Sequence, residues 1–130
     1  MSVIDHIGLG FADYPRALRF YEATLAPLGI AIVMQLTKEE TGDYEGAGFG
    51  RDGKPSFWTS GGGRTAPRVH IAFVAEDRAA VDAFFEAALA AGAADNGAPG
   101  VRAHYHPNYY GAFVLDPEGH NIEAVCHKPA

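Results

Sequence analysis

Two histidines and one glutamate carry the first chemistry visible in this sequence. His6 sits in Asp5-His6-Ile7 and His70 in Val69-His70-Ile71, an offset of 64 residues. The same offset maps Asp13 onto Asp77, Phe20 onto Phe84, Tyr21 onto Phe85 and Leu25 onto Leu89. Self-similarity at about half the chain length reads as a duplicated module. Glu123 lies near the end of the second copy, in Gly119-His120-Asn121-Ile122-Glu123-Ala124-Val125. Two imidazoles and a carboxylate from three separate segments form a donor set for a divalent metal. Taken singly, a terminal histidine is an ordinary polar side chain and a strand glutamate faces water. Their equivalence within a repeat is what lifts them above that.

A second cluster, His104-Tyr105-His106-Pro107-Asn108-Tyr109-Tyr110, holds two imidazoles and three phenols in seven residues. Such groups beside a metal can position a substrate oxygen or move a proton near neutral pH. His106 and Tyr110 are the first candidates for acid–base work, with His104, Tyr105 and Tyr109 as substrate-lining residues. The bland alternative is a tyrosine-covered sheet edge turned by Pro107-Asn108. Phe57 and Trp58 point to opposite faces of one strand, so one packs in the core and the other is free to wall a pocket, with Thr59 beside it. Cys126 reads as a buried small hydrophobe, His120 and His127 as turn and tail residues. No phosphate-cradling glycine loop or nucleophile elbow is present; Gly61-Gly62-Gly63 is a connector lacking a strand-to-helix setting.

The elements that must position these groups follow from periodicity. Val3 to Gly10 alternates as a strand, with His6 on the face of Ile4 and Gly8. Asp13 caps a helix carrying Tyr14, Leu18, Tyr21 and Leu25, which Pro27 and Gly29 end. Ile30 to Leu36, Tyr44 to Arg51 and Ser56 to Ser60 read as strands, the last two joined at Asp52-Gly53. The order then restarts. Arg68 to Ala75 is a strand, and Asp77 caps a helix to Ala91 with the stripe Val81, Phe84, Phe85, Leu89. Val101 to His106, Tyr110 to Leu115 and His120 to Cys126 are three further strands, with a turn at Asp116-Pro117-Glu118-Gly119. The pattern is βαβββ twice, an α+β fold in a single domain over 1–130, with modules 1–63 and 64–130. Alternation puts Glu123 with Asn121 and Val125, and it puts His104 and His106 on one face with Tyr105 on the other.

A chain of 130 residues with 48% hydrophobic and 20% charged residues has the composition of a globular domain. The net charge of −6 argues against nucleic-acid binding. The single cysteine rules out an internal disulfide framework and fits a cytoplasmic setting. No segment reads as a signal peptide or approaches the roughly 20 apolar residues of a membrane span.

Asp5-His6-Ile7, the helix containing Phe20-Tyr21, Val69-His70-Ile71 and the block Phe113-Val114-Leu115-Asp116-Pro117-Glu118-Gly119-His120-Asn121-Ile122-Glu123 resemble the vicinal oxygen chelate superfamily, which spans glyoxalases, bleomycin-resistance proteins and extradiol dioxygenases. The resemblance covers essentially the whole chain, and the closing Asp-Pro-Glu-Gly-x-x-Ile-Glu is its most specific element. It implies two βαβββ modules forming one cup-shaped mixed sheet with flanking helices, and metal ligands at His6, His70 and Glu123. Glyoxalase-like members add a fourth protein ligand on the last strand of the first module. Here that position falls on Phe57 or Thr59, depending on one turn length, and neither is a metal-binding side chain. The remaining set of two histidines and one carboxylate leaves coordination positions open, as in non-haem Fe(II) sites, and manganese or zinc also suits it. The expected function is a metal-dependent enzyme of glyoxalase or dioxygenase type acting on a small substrate with vicinal oxygens. The alternative is a bleomycin-resistance-like binding protein without catalysis. A homodimer is expected by analogy and because small modules leave open sheet edges.

Overall fold

The computed structural model describes residues 2–130. The first module runs β1 (Ile7–Gly10), α1 (Tyr14–Leu25), β2 (Ala31–Leu36), a short α2 (Lys38–Thr41), β3 (Gly46–Arg51) and β4 (Lys54–Ser60). The second runs β5 (His70–Val74), α3 (Arg78–Ala90), the two-residue strands β6 (Ala94–Asp95) and β7 (Gly100–Val101), β8 (Tyr110–Leu115) and β9 (Asn121–Cys126). The strands form two mixed sheets, ordered β1-β4-β3-β2 and β5-β9-β8-β6, with β7 also pairing β8. In each sheet the first strand lies parallel to the last one of its module. This is the expected α+β architecture of two βαβββ-like modules with flanking helices.

Local chemistry explains both long helices. The Asp13 carboxylate accepts from the Arg16 N–H and the Asp77 carboxylate from the Ala80 N–H, satisfying donors that a helix start leaves free. Pro15 stands in the first turn of α1, where a missing N–H costs nothing. Beyond α1 a 3₁₀ turn, Ala26–Leu28, ends at Gly29 with φ 74°, a left-handed conformation that glycine takes without strain. Phe20, Tyr21 and Leu25 of α1 and Val81, Phe84 and Ala88 of α3 are buried, while Leu89, expected in the α3 stripe, is exposed.

Helices α1 and α3 pack against one another, and the inner faces of both sheets share their core. Leu9, Ala47, Phe49 and Phe57 meet Ala112, Val114, Ile122, Ala124 and Cys126 in one cluster. Phe57 bridges the halves: its ring centroid lies 5.1 Å from Tyr21, 6.2 Å from Phe49 and 5.2 Å from Phe73. The residues around His6 and the strand of His70 border a common cleft, lined by Asp5, Ile7, His70 and Ala72. The strands nonetheless divide between two sheets, and among the described residues no ladder joins β1 to β5.

The turn between β8 and β9 locks the modules together. Asp116 accepts from the Tyr21 hydroxyl on α1 and from the N–H groups of Glu118 and His120. Glu118 accepts from the N–H groups of Ala12 and Asp13 at the start of α1, and Arg16 donates to the Pro117 carbonyl. His120, expected as a turn residue, is buried, and its Nδ1 accepts from the Val69 N–H at 3.1 Å. Most of the Asp-Pro-Glu-Gly-His block is thus a clasp that holds α1 and β5 in place.

Three expectations need correction. β1 begins at Ile7, so His6 stands just before the strand. The strand expected over Val101 to His106 ends at Val101; Tyr105 N–H bonds to the Arg102 carbonyl and Tyr109 N–H to the His106 carbonyl, making a loop of turns. The alternation assigned to His104, Tyr105 and His106 lapses with it. Helix α2 went unforeseen, although Thr37 and Glu40 form a capping box there.

Candidate metal and substrate site

The outer face of the second sheet gathers the carboxylate chemistry. Pairing sets Glu123 between Ala72 of β5 and Phe113 of β8, with His70 two residues from Ala72 on the same face. Glu123 is fully buried, yet faces away from the main core. A buried carboxylate must be paired or hydrogen-bonded, and here both oxygens are engaged. His70 Nε2 lies 2.8 Å from Oε1, and the Tyr109 hydroxyl donates to Oε2. Burial, and then the bond to Glu123, pushes the Tyr109 phenol above its ordinary value. Gly111 makes room: a Cβ there would lie 3.2 Å from Glu123 Oε2. A cavity of about 440 Å³ opens beside the pair, lined by His70, Tyr105, His106, Tyr109, Phe113 and His127. His106 Nδ1 accepts from the Asn108 N–H, which leaves its Nε2 as the free ring nitrogen.

His6 stands elsewhere. Its Nδ1 lies 2.8 Å from an Asp5 carboxylate oxygen, and Lys54 Nζ lies 3.0 Å from the other. These two partners, His6 first, hold the Asp5 carboxyl below its usual value. His6 lines a separate cavity of about 850 Å³ on the outer face of the first sheet, together with Gly8, Leu36, Tyr44, Gly46 and Trp58. Among the described residues no three His, Cys, Asp or Glu side chains stand close enough to hold one ion. Neighbouring donors on one M²⁺ with bonds of about 2.1 Å lie about 3 Å apart. His70 and Glu123 meet that spacing at 2.8 Å; His6 of the same chain does not join them.

Strand register also resolves the fourth position, and corrects it. Gly8 pairs with Trp58 just as Ala72 pairs with Glu123. The residue equivalent to Glu123 is therefore Trp58, not Phe57 or Thr59. Both of those point inward and are buried, Phe57 in the core and Thr59 with its hydroxyl directed at the Ala47 carbonyl. The offset between modules grows from 64 residues at the histidines to 65 here, and a one-residue slip moves a strand residue to the opposite face.

Other candidates divide. Tyr110 lies on the core side of β8: its hydroxyl donates to Asp82 at 2.6 Å and the Arg78 guanidinium lies over its ring. Its bond to Asp82 raises its pKa first, burial second. It anchors α3 and does not reach Glu123. His104 stacks near Tyr105, ring centroids 4.1 Å apart, outside the cavity lining. His127, read as a tail residue, lines the cavity with its ring 5.2 Å from Tyr109 and 5.9 Å from His106. Period-2 alternation through Glu123 and Val125 would have found it.

Two sheets, each with its module's first strand parallel to the last, define a duplicated βαβββ fold. Residues 3–124 match the model of the Glyoxalase/Bleomycin resistance protein/Dioxygenase superfamily, and the chain belongs to that family. Similar solved structures include a glyoxalase/bleomycin resistance protein from Albidiferax ferrireducens, with TM-score 0.80 and 24% identity, over 96% of this chain and 99% of that one. Lactoylglutathione lyase from Agrobacterium tumefaciens is similar at TM-score 0.65 and 20% identity, over 97% and 94% of the two chains. Glyoxalase I from Zea mays is similar at TM-score 0.69 and 19% identity; 95% of this chain covers 45% of the maize chain, so it spans about half that protein's length. At such identities the likeness is one of fold. No curated protein sequence matches significantly. Among the described residues no helix is long and apolar enough to cross a membrane.

Proposed function

We propose that this protein is a divalent-metal-dependent enzyme acting on a small substrate with two adjacent oxygens, and that its site is shared between two copies. His70 and Glu123 of one copy and His6 of the other would hold iron, manganese or zinc. The observation that carries this reading is the buried Glu123 with His70 Nε2 at 2.8 Å, two donors at ligand spacing with no third His, Cys, Asp or Glu close enough to join them among the described residues. A second copy laid against that face would add the missing imidazole. The edge strands β1 and β5 are open to such pairing.

A metal bound there would act as a Lewis acid on the substrate oxygens. The chain's own groups would do the rest. Tyr109 would orient Glu123 and keep a proton at its hydroxyl, and His106 Nε2 would accept or return a proton. Phe113 and Tyr105 would give the substrate an aromatic lining. Lyase or isomerase chemistry and ring-cleaving oxygenation both fit this donor set, and metal identity with oxygen-uptake measurements separates them. The buried free thiol of Cys126 is compatible with a cytoplasmic setting.

The test mixes two inactive variants. Glu123→Ala and His6→Ala should each lose bound metal. Because a heterodimer concentrates both changes in one of its two sites, unfolding and refolding the variants together should restore about a quarter of the sites. Metal content and sedimentation read the result; no recovery from a dimeric mixture defeats the shared site. A second reading, sequestration of a small molecule without catalysis, draws on the aromatic linings and on a Glu123 already satisfied within the chain. Wild-type protein that takes up no metal would favour it.

A further inference from the structure

We propose that the cavity on the first sheet is a stacking subsite for a planar aromatic or heteroaromatic ring, with the Trp58 indole as its floor. This deepens the reading above by naming the substrate class, and rests on it only in making that ring part of the enzyme's substrate.

The paired strands show how the floor is made. Trp58 stands between Gly8 on β1 and Gly48 on β3, its direct partners across the sheet. A Cβ at Gly48 would lie 2.9 Å from Trp58 Cζ2 and 3.0 Å from Cε2, so the indole lies across the bare backbone of β3. A Cβ at Gly8 would stand 3.6 Å from Trp58 Cβ. The same Cβ at Gly48 would meet Pro55 Cβ at 2.7 Å, so a larger residue there would displace the indole, Pro55 or both. The side chain takes no part in the shared core, whose residues lie on the opposite face. It is half-buried at the base of a cavity of about 850 Å³ walled by Leu36, Tyr44 and Pro55.

An aromatic face left open to water in a concave site is a binding surface, because stacking a second ring on it recovers both apolar burial and the offset ring–ring attraction. The position in the repeat adds to this. The second module holds the carboxylate Glu123 where the first holds Trp58. Trp58 offers no donor atom for a metal, but it offers a plane. A small aliphatic carbonyl compound would leave that plane wet.

Trp58 is the only tryptophan, so its indole N–H gives a single side-chain resonance that reports on this cavity alone. The experiment titrates metal-free protein with 2-naphthol and, separately, with decahydro-2-naphthol, which has the same skeleton without planarity. Expected is a saturable ring-current shift of the indole resonance with 2-naphthol, and affinity by calorimetry about tenfold or more above that for the saturated analogue. Trp58→Leu should lose that preference, Trp58→Phe should keep part of it, and Gly48→Val should weaken binding while Trp58 is still present. Equal affinity for the two probes, or no binding of either to the folded protein, overturns the proposal. Binding of 2-naphthol should survive in Glu123→Ala. A protein that stacks the ring but takes up no metal would fail the enzymatic reading and keep this one, and the reverse result would do the opposite.

Discussion

The two outer faces descend from one pattern and have become different surfaces. On the second sheet, Glu123, His70, Tyr109, His106 and His127 crowd a cavity of about 440 Å³ with titratable groups. On the first, His6 stands near a glycine-framed tryptophan in a cavity of about 850 Å³. At equivalent positions one face carries a carboxylate and the other an indole. One face is built to hold charge and protons, the other to hold shape. On the proposed reading both copies keep the histidine, while the position of Glu123 serves as ligand in one module and is free to serve the rest of the substrate in the other.

The largest break in this comparison is expected from two adjacent residues. Phe57→Ala empties a space against Tyr21, Phe49 and Phe73 and should cost about 3–5 kcal/mol of stability in denaturant unfolding. Trp58→Ala, on the opposite face, should cost far less in the same measurement while removing the preference for a planar ring. Similar losses for the two would mean that Trp58 belongs to the core. The clasp is the next target. Tyr21→Phe leaves Asp116 without its hydroxyl partner and should cost about 1–3 kcal/mol, read as a lowered Tm; an unchanged Tm would remove the clasp from the account of how the faces are held.

The smallest effect is one of pH and sharpens the charged face. Burial and the bond to Glu123 raise the Tyr109 phenol above its ordinary value of 10.0. A raised folded-state value gives stability that is fully present below about pH 10 and is lost as pH climbs through that folded value. The Tm advantage of wild type over Tyr109→Phe should hold constant from neutral pH to about 10 and shrink beyond it. A margin that stays flat into stronger alkali would uncouple Tyr109 from Glu123.

Much of this was legible in the sequence. The repeat located His6 and His70, the caps at Asp13 and Asp77 located both long helices, and alternation set Glu123 on the face opposite Ile122 and Ala124. Periodicity failed where side chains satisfy the backbone locally, as in the turns of Arg102 to Tyr109 and the capping box of α2. Fourth-ligand assignment failed because a single residue of turn length inverts a strand's facing, which is how Trp58 hid between Phe57 and Thr59. Division of the strands between two sheets was not readable either. Sheet pairing is local, whereas the side on which α1 and α3 meet is decided by the whole core. Tyr110 misled for a related reason: a phenol beside a cavity residue belongs to the other face.

The clasp at Asp116 to His120 fixes more than two modules. If two copies share a site as proposed, each chain would offer two unlike half-sites, and the way its two sheets are set against each other would decide whether matched halves close into a finite ring or continue as a filament. Glu118 and Asp116 tie the turn that leads into Glu123 to the start and middle of α1. In such an assembly, loosening that tie would change how many chains come together while leaving each half-site's own residues in place.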